Sequence, residues 1–555
     1  MAVEPAQVGI DCAFIPIQPA MQSRQLADSG VFVHEVGCTR GGFLQNFEFR
    51  VRSVAVLFLY GGLLVGAAAQ GAVITRGPYL QRASSSNIVV RWRTDTATSS
   101  RVQYGTNIAN LNLKRDVTAN VVNHEVVLSG LASGTRYYYT VGYTVGSIST
   151  VLARTNTGQY FLTHPVPGAT KPMRVWVIGD AGTGTANQLA VRNAFYTYNG
   201  TRDVNVWLQL GDNAYTSGTD AEYQKAVFNV YSNQLRRTVT WPTVGNHDTA
   251  QSTSFVNTYP YFSIFTLPTA GECGGVASGT EHYYSFDHGM VHFICLDSMT
   301  ASRAANGAMA TWLRNDLAAT TGHWIIAYWH HPPYSKGSHN SDSEIELVQM
   351  RENILPILEA GGVDLVLCGH SHSYERSLLI SRHYGLSTTF ASSNIVQSGS
   401  GRGTNAYVKG SDAYGGTVYA VAGSSGQTSG GTLNHPAMYI SLNNLGSMVL
   451  DITSNRLDAV FLRETGATND WFTLRKDYLP VPVMFTRAAF TNGKLTLAGT
   501  GPSGQSYRVW ATTDMRLPAT NWSVIGTGTF NGGVFTFTDS QSRNFAARFY
   551  RVTAP

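Results

Sequence analysis

At 555 residues the chain is too long for one ordinary hydrophobic core, and about two to four domains are expected. Charged residues make up 13% of it, against a usual figure of about 25%, and 56 residues are glycine, a balance that suits a secreted, β-rich, loop-rich protein and counts against a cytosolic helical one. The formal charge of +5 has no basic cluster behind it, so nucleic acid is not expected as a structural partner, whereas a mildly basic surface suits small anionic substrates.

The first element is a leader, 1–69. Arg50 and Arg52 precede an apolar stretch from Val54 to Ala69 that ends in small residues, the pattern of a secretory signal peptide at about 50–69. The stretch falls short of the roughly 20 apolar residues preferred for spanning a bilayer, and no cysteine follows it, so no stable membrane anchor is expected and the protein is expected to be extracellular or periplasmic. Its late position suggests that translation starts at Val51. Cys12 and Cys38 precede the cut. The remaining Cys273, Cys295 and Cys368 form no disulfide framework, and the latter two, inside apolar runs, read as buried free thiols.

From 74 to 165, "NIVVRWRTD", "SRVQYG", "HEVVLSGL" and "RYYYTVGY" are short alternating runs between turn-rich pieces, as in a small β-sandwich. "LASGTRYYYTV" places Leu131, Gly134 and Tyr137 as in the tyrosine corner of fibronectin type III-like domains. "THPVPGATKP" reads as a linker. From 172 to 476 strands alternate with helical stretches, which predicts an α/β domain. A second all-β module, again a sandwich, is expected over 480–555.

The α/β region repeats one device. "VWVIGDAG" ends on Asp180, "LQLGDNAY" on Asp212, "PTVGNHD" on Asn246 and His247, "IIAYWHHPPY" on His330, and "LVLCGHSH" on His370 and His372. Open α/β sheets bind ligands at the carboxyl ends of their strands, so these side chains should converge on one crevice. Each residue alone reads as structural; together they do not. Two aspartates, an amide and three imidazoles exceed the ligands of one tetrahedral zinc and suit two metal ions sharing a carboxylate, an arrangement that serves phosphate ester hydrolysis. His247 and His339 are left as proton donors for a leaving group.

These motifs, "GDAG", "GDNAY", "GNHD", "AYWH" and "GHSH", in order within about 300 residues, resemble the metal motifs of the purple acid phosphatases, in the calcineurin-like metallophosphoesterase superfamily. "GPYLQ" and "GHSHSYERS" add to the resemblance. It implies a βαβαβ sandwich of two mixed sheets, flanked here by the N- and C-terminal all-β sandwiches. It also implies two metals, Fe(III) plus a divalent ion (Zn, Fe or Mn). Asp180, Tyr215 and His372 would hold the ferric ion, Asp212 would bridge, and Asn246, His330 and His370 would hold the divalent ion. The implied activity is a secreted acid phosphatase that cleaves phosphomonoesters by attack of a metal-bound hydroxide, with His247 binding the phosphate and His339 protonating the leaving alcohol. Plant-type members have two adjacent histidines where this chain has His339 followed by Asn340, and His247 is the reserve acid. His331 reads as a packing residue, and the Gly/Ser loops 399–403 and 422–431 as loops rimming the site. A phosphodiesterase or nucleotide-directed enzyme on the same metals, and a surface-binding protein with an inert site, are the competing readings. A homo-oligomer is compatible with all of them.

Overall fold

The computed structural model describes residues 71–553 except 411–412, 477–482, 502–505 and 518–520, so the signal-peptide reading lies outside the described residues. The alternating runs after the leader form a six-stranded antiparallel sheet from Ile74–Gln81 to Tyr160–Leu162. "NIVVRWRTD" and "SRVQYG", read as two strands, are one 18-residue strand, Ile88–Gly105. Its register against Leu113–Leu128 shifts between Arg93 and Thr98 and again between Thr98 and Ser100. Such bulges bend a strand without ending it, so its first half pairs with Ile74–Gln81 and its second with Arg136–Val145. The tyrosine corner is present: the Ala132 N–H donates to the Tyr137 hydroxyl at 3.0 Å, and Gly134 takes the left-handed turn at φ +56.

"THPVPGATKP" is no loose tether. Thr163 and His164 are buried, and His164 Nδ1 meets the carbonyl of Asp287 at 2.9 Å. The α/β region that follows forms two seven-stranded mixed sheets. In the first, Met173–Ile178, Val206–Gln209 and Thr240–Pro242 run parallel; in the second, Val291–Cys295, Trp324–Trp329, Leu365–Cys368 and Val418–Ala422 do. All seven strands are buried throughout, as near-continuous apolar runs in a two-sided sheet should be. One core joins both sheets, with Val177 and Leu208 of the first and Ile326 and Leu367 of the second. The helix Ala186–Asn199 lies on the first sheet, Phe195 stacked on Trp176 at 4.0 Å. A buried carboxylate, Asp364, takes Lys409 Nζ at 3.0 Å and Lys476 Nζ at 2.8 Å. These lysines come from the edge of the first sheet, so the ion triad ties the sheets at the end opposite the site. Cys273, Cys295 and Cys368 are buried free thiols.

The C-terminal residues form two three-stranded antiparallel sheets around Leu497, Tyr507, Val509, Phe530 and Phe535, the expected sandwich. Arg508 Nη1 donates to the carbonyl of Ala318 in the α/β region at 3.2 Å. No helix of the described residues is long and apolar enough to cross a membrane.

Candidate metal centre at the shared sheet edge

Because the parallel strands of both sheets point the same way, their carboxyl ends share one edge. Asp180 follows Met173–Ile178 and Asp212 follows Val206–Gln209; Asn246 follows Thr240–Pro242, His330 follows Trp324–Trp329, and His370 and His372 follow Leu365–Cys368. The turns are sharp. Asp180, Asp212 and His370 all hold left-handed backbone, at φ +54, +51 and +64, a conformation that costs a non-glycine residue about 1 kcal/mol or more and concentrates at functional sites. Glycine precedes each turn because its neighbour leaves no room: a Cβ on Gly211 would lie 2.5 Å from His330 Nδ1, and one on Gly369 2.4 Å from Asp180 Oδ2; Gly245, before Asn246, is as crowded, 2.3 Å from Asp212 Oδ1.

Asn246, His330 and His370 form one cluster. His330 Nδ1 meets the Leu210 carbonyl at 2.8 Å and must donate to it, which leaves Nε2 a lone pair. Asn246 Nδ2 donates to Gln251 Oε1 at 3.0 Å, which turns Oδ1 inward. His370 Nε2 meets the Glu344 carboxylate at 3.2 Å, so Nδ1 is its acceptor. These three lone-pair atoms face one another: His330 Nε2 is 2.8 Å from Asn246 Oδ1, and His370 Nδ1 is 3.1 Å from that oxygen and 3.2 Å from His330 Nε2. Acceptors so close repel unless a cation lies among them, so this donor set fits a metal.

Asp180, Tyr215 and His372 form the second cluster. The Tyr215 hydroxyl is 3.3 Å from Asp180 Oδ1 and 3.2 Å from His372 Nε2. His372 Nδ1 meets Ser429 Oγ at 2.9 Å. Asp180, Asp212 and His372 each bring a donor atom within 4.8 Å of the others, while Asp212 Oδ1 is also 3.5 Å from His330 Nε2, so Asp212 faces both clusters.

The electrostatics point the same way. Burial pushes the Asp180 carboxyl up to about 8, helped by Asp212 and opposed by His330. Burial acts on Asp212 as well, but His330 and His247 outweigh it and hold this carboxyl below its ordinary value. Burial and the two carboxylates hold the Tyr215 phenol well above its ordinary range, and burial takes His370 down to about 3. Neither aspartate pairs with an arginine or lysine among the described residues. With His370 and His372 held down by burial and two carboxylates crowded together, the pocket is short of positive charge, which bound cations supply.

His247 and His339 flank the clusters. The His247 backbone N–H donates to Asp212 Oδ1 at 2.9 Å, its Nδ1 meets the Thr216 carbonyl at 2.7 Å, and its Nε2 is 3.3 Å from Gln251 Nε2 and 4.0 Å from Asp212 Oδ2. The His339 ring lies 3.7 Å from that of His370, and its Nδ1 is 2.8 Å from Glu344 Oε2. His331 is buried with Nδ1 against Ser298 Oγ at 2.8 Å, a packing residue as expected. Of the two Gly/Ser loops, 422–431 meets the site through Ser429 and through Gln427, whose amide is 3.3 Å from His372 Nε2. The other was expected at the rim as well, but it is drawn to the buried Arg376–Asp470 pair: Ser400 O accepts from Arg376 Nη2 at 3.1 Å, and Arg402 Nη2 donates to Asp470 Oδ1 at 2.5 Å.

Two residues escaped sequence reasoning. Glu344 bonds both His339 and His370; it lies in "SDSEIELVQ", which looks like an ordinary helix start. Asp248, the last residue of "GNHD", is fully buried and accepts from Gly245 N, Asn213 N, Asn213 Nδ2 and the Tyr223 hydroxyl, at 2.8, 3.0, 3.0 and 2.6 Å. Its place inside a motif was the available signal.

Two mixed sheets that deliver such donors at a common edge define a calcineurin-like phosphoesterase, and the family model of that description matches residues 173–374. The model of the purple acid phosphatase N-terminal domain matches 77–156. The chain belongs to the purple acid phosphatase family. It is 28% identical to purple acid phosphatase 23 of Arabidopsis thaliana over 50% of this chain and 66% of that protein, and 26% identical to purple acid phosphatase 1 of Ipomoea batatas over 57% and 66%. The matches thus span just under two thirds of these relatives. The purple acid phosphatase from yellow lupin (Lupinus luteus) seeds shares the fold, with a TM-score of 0.58 at 18% identity, covering 73% of this chain and 75% of that one.

Proposed function

We propose that the chain is a secreted acid phosphatase that hydrolyses phosphomonoesters at a pair of metal ions. The observation that carries this reading is the convergence of seven donors from five strand ends into two clusters that share Asp212. Asp180, Tyr215 and His372 would hold one ion, for which the phenol favours Fe(III). Asn246, His330 and His370 would hold a divalent ion (Zn, Fe or Mn), with Asp212 between them. When bound, the ions supply the activated water and neutralise phosphate charge.

The chain's own residues do the rest. His247, fixed through Nδ1 by Thr216, would as an imidazolium donate Nε2–H to a phosphate oxygen. His339, fixed through Nδ1 by Glu344, offers Nε2 to the leaving oxygen and holds the proton that oxygen takes up. Glu344, whose burial is outweighed by hydrogen bonds from His339 and His370, is held well below the usual carboxylate range and stays an acceptor for both. The left-handed turns at Asp180, Asp212 and His370 keep donors facing the cleft with no rearrangement at binding. Secretion rests on the leader at about 50–69.

The test is release of phosphate from an aryl phosphate and a bis-aryl phosphate by metal-loaded protein, with and without chelator. Monoester turnover abolished by chelator and restored by metal is expected. Preference for the diester would move the assignment to phosphodiesterase, and no turnover of either would leave a surface-binding protein with an inert site.

A further inference from the structure

At the same sheet edge, past the carboxyl end of Val291–Cys295, lies a cavity of about 660 Å³, and three of its walls follow residues of the site along the chain. One is Thr253 to Phe255, just beyond Gln251, which orients the Asn246 amide. Another begins at Met299, next to Ser298, whose hydroxyl holds His331 against His370 at a ring separation of 4.3 Å. The third is Gln349, on the helix that follows Glu344.

The lining mixes apolar residues, among them Phe255, Met299, Ala308 and Met309, with polar ones such as Thr300 and Asn353. Phe255 is 50% exposed, although one ring face stacks on His282 at 3.9 Å. His282 is itself clamped, Nδ1 to Asp297 Oδ2 at 2.8 Å and Nε2 to Asn257 Oδ1 at 2.9 Å, so one face of Phe255 rests on a fixed partner while the other meets no aromatic partner among the described residues. Arg303 also lines the cavity, but its donors are taken by Gln349 Oε1 at 2.9 Å, the Ser298 carbonyl at 2.7 Å, the Met299 carbonyl at 3.2 Å and Glu346 at 3.4 Å. Four of its five N–H groups are so taken, which ties the guanidinium into the wall and leaves one Nη2 hydrogen.

We propose that this cavity receives the leaving group of the substrate, and that the group it fits is a planar ring system stacked on the open face of Phe255. The inference rests on the phosphatase reading of the neighbouring site. Its volume is that of a small-molecule pocket, and a ring stacked on a fixed aromatic face loses little freedom on binding.

The test compares kcat/KM for naphthyl phosphate and ethyl phosphate in the metal-loaded full chain, the Ala308→Trp variant and the Phe255→Ala variant. Ala308 is exposed at the first position of the helix Ala308–Ala319, so an indole there fills the cavity without entering the core. Ala308→Trp should lower kcat/KM for naphthyl phosphate about tenfold and leave ethyl phosphate within about twofold. Phe255→Ala, which removes the platform and adds no bulk, should raise KM for naphthyl phosphate alone. Equal changes for both esters, or none for naphthyl phosphate in either variant, would overturn the proposal. Release of phosphate from neither ester by the unaltered chain would instead overturn the phosphatase reading beneath it.

Discussion

Asp248 touches no proposed metal ligand through its side chain, yet it fixes the loops that carry three of them. Its Oδ1 accepts from Asn213 N and the Tyr223 hydroxyl, and its Oδ2 from Gly245 N and Asn213 Nδ2. Asn213 follows Asp212 and precedes Tyr215 by two, and Gly245 precedes Asn246. Asp248→Ala strands three donors, since Asn213 Nδ2 keeps the Thr243 carbonyl at 3.0 Å. At about 1–3 kcal/mol for each stranded buried group, with water entering the space left, the expected loss is about 3–5 kcal/mol. That is a large share of a typical domain's stability but not all of it. Asp248→Asn should cost less, about 1–3 kcal/mol, because its amide oxygen keeps two of the four donors while its NH2 group faces the other two, one of which, Asn213 Nδ2, retains the Thr243 carbonyl. The assay is denaturant unfolding together with bound metal per chain. Asp248→Ala should lose metal affinity by about 10- to 100-fold while Asp248→Asn retains more. Unchanged metal content and an unchanged unfolding midpoint in Asp248→Ala would refute the argument that this carboxylate sets the loops.

His339→Ala should keep its metal and lose about 10²-fold or more in kcat on an alkyl phosphate, and much less on a nitrophenyl phosphate, whose leaving group needs no proton. Equal losses on both would assign His339 to binding. A pH prediction comes from His124, packed on Trp92 at 4.6 Å between the hydroxyls of Thr94 and Ser100 and taken by burial down to about 4. The unfolded chain protonates this imidazole first, so its contribution is present above pH ~6.5 and is lost as pH falls toward about 4. The stability difference between the unaltered chain and His124→Gln should therefore shrink over that window; a constant difference would show that His124 does not stay neutral.

The sequence carried the α/β sheets because four of the central strands are apolar runs closed by glycine and a donor, a pattern that depends on neighbours along the chain. "LQLGD" and "LVLCGH" needed no tertiary knowledge. Tyr137 was legible for the same reason, since its corner closes within six residues. Glu344 was not, because only the fold brings its carboxylate to His370, 26 positions along the chain. Nor was the continuous strand Ile88–Gly105: the polar run "TDTATSS" reads as a turn, and pairing with Leu113–Leu128 through two register shifts keeps it extended. The loop 399–403 was misplaced because its glycines suggested a rim, while its position is set by the distant Arg376–Asp470 ion pair.

The measurement that bears most directly on the proposed centre is the visible absorption spectrum of the purified chain and of Tyr215→Phe, each with its metal content. A phenolate on Fe(III) gives a visible charge-transfer band, so the account predicts a coloured protein containing iron and a second metal, and a colourless variant that retains metal. A metal-loaded, active protein with no such band, or a band unchanged in Tyr215→Phe, would contradict the assignment of Tyr215 as a ligand.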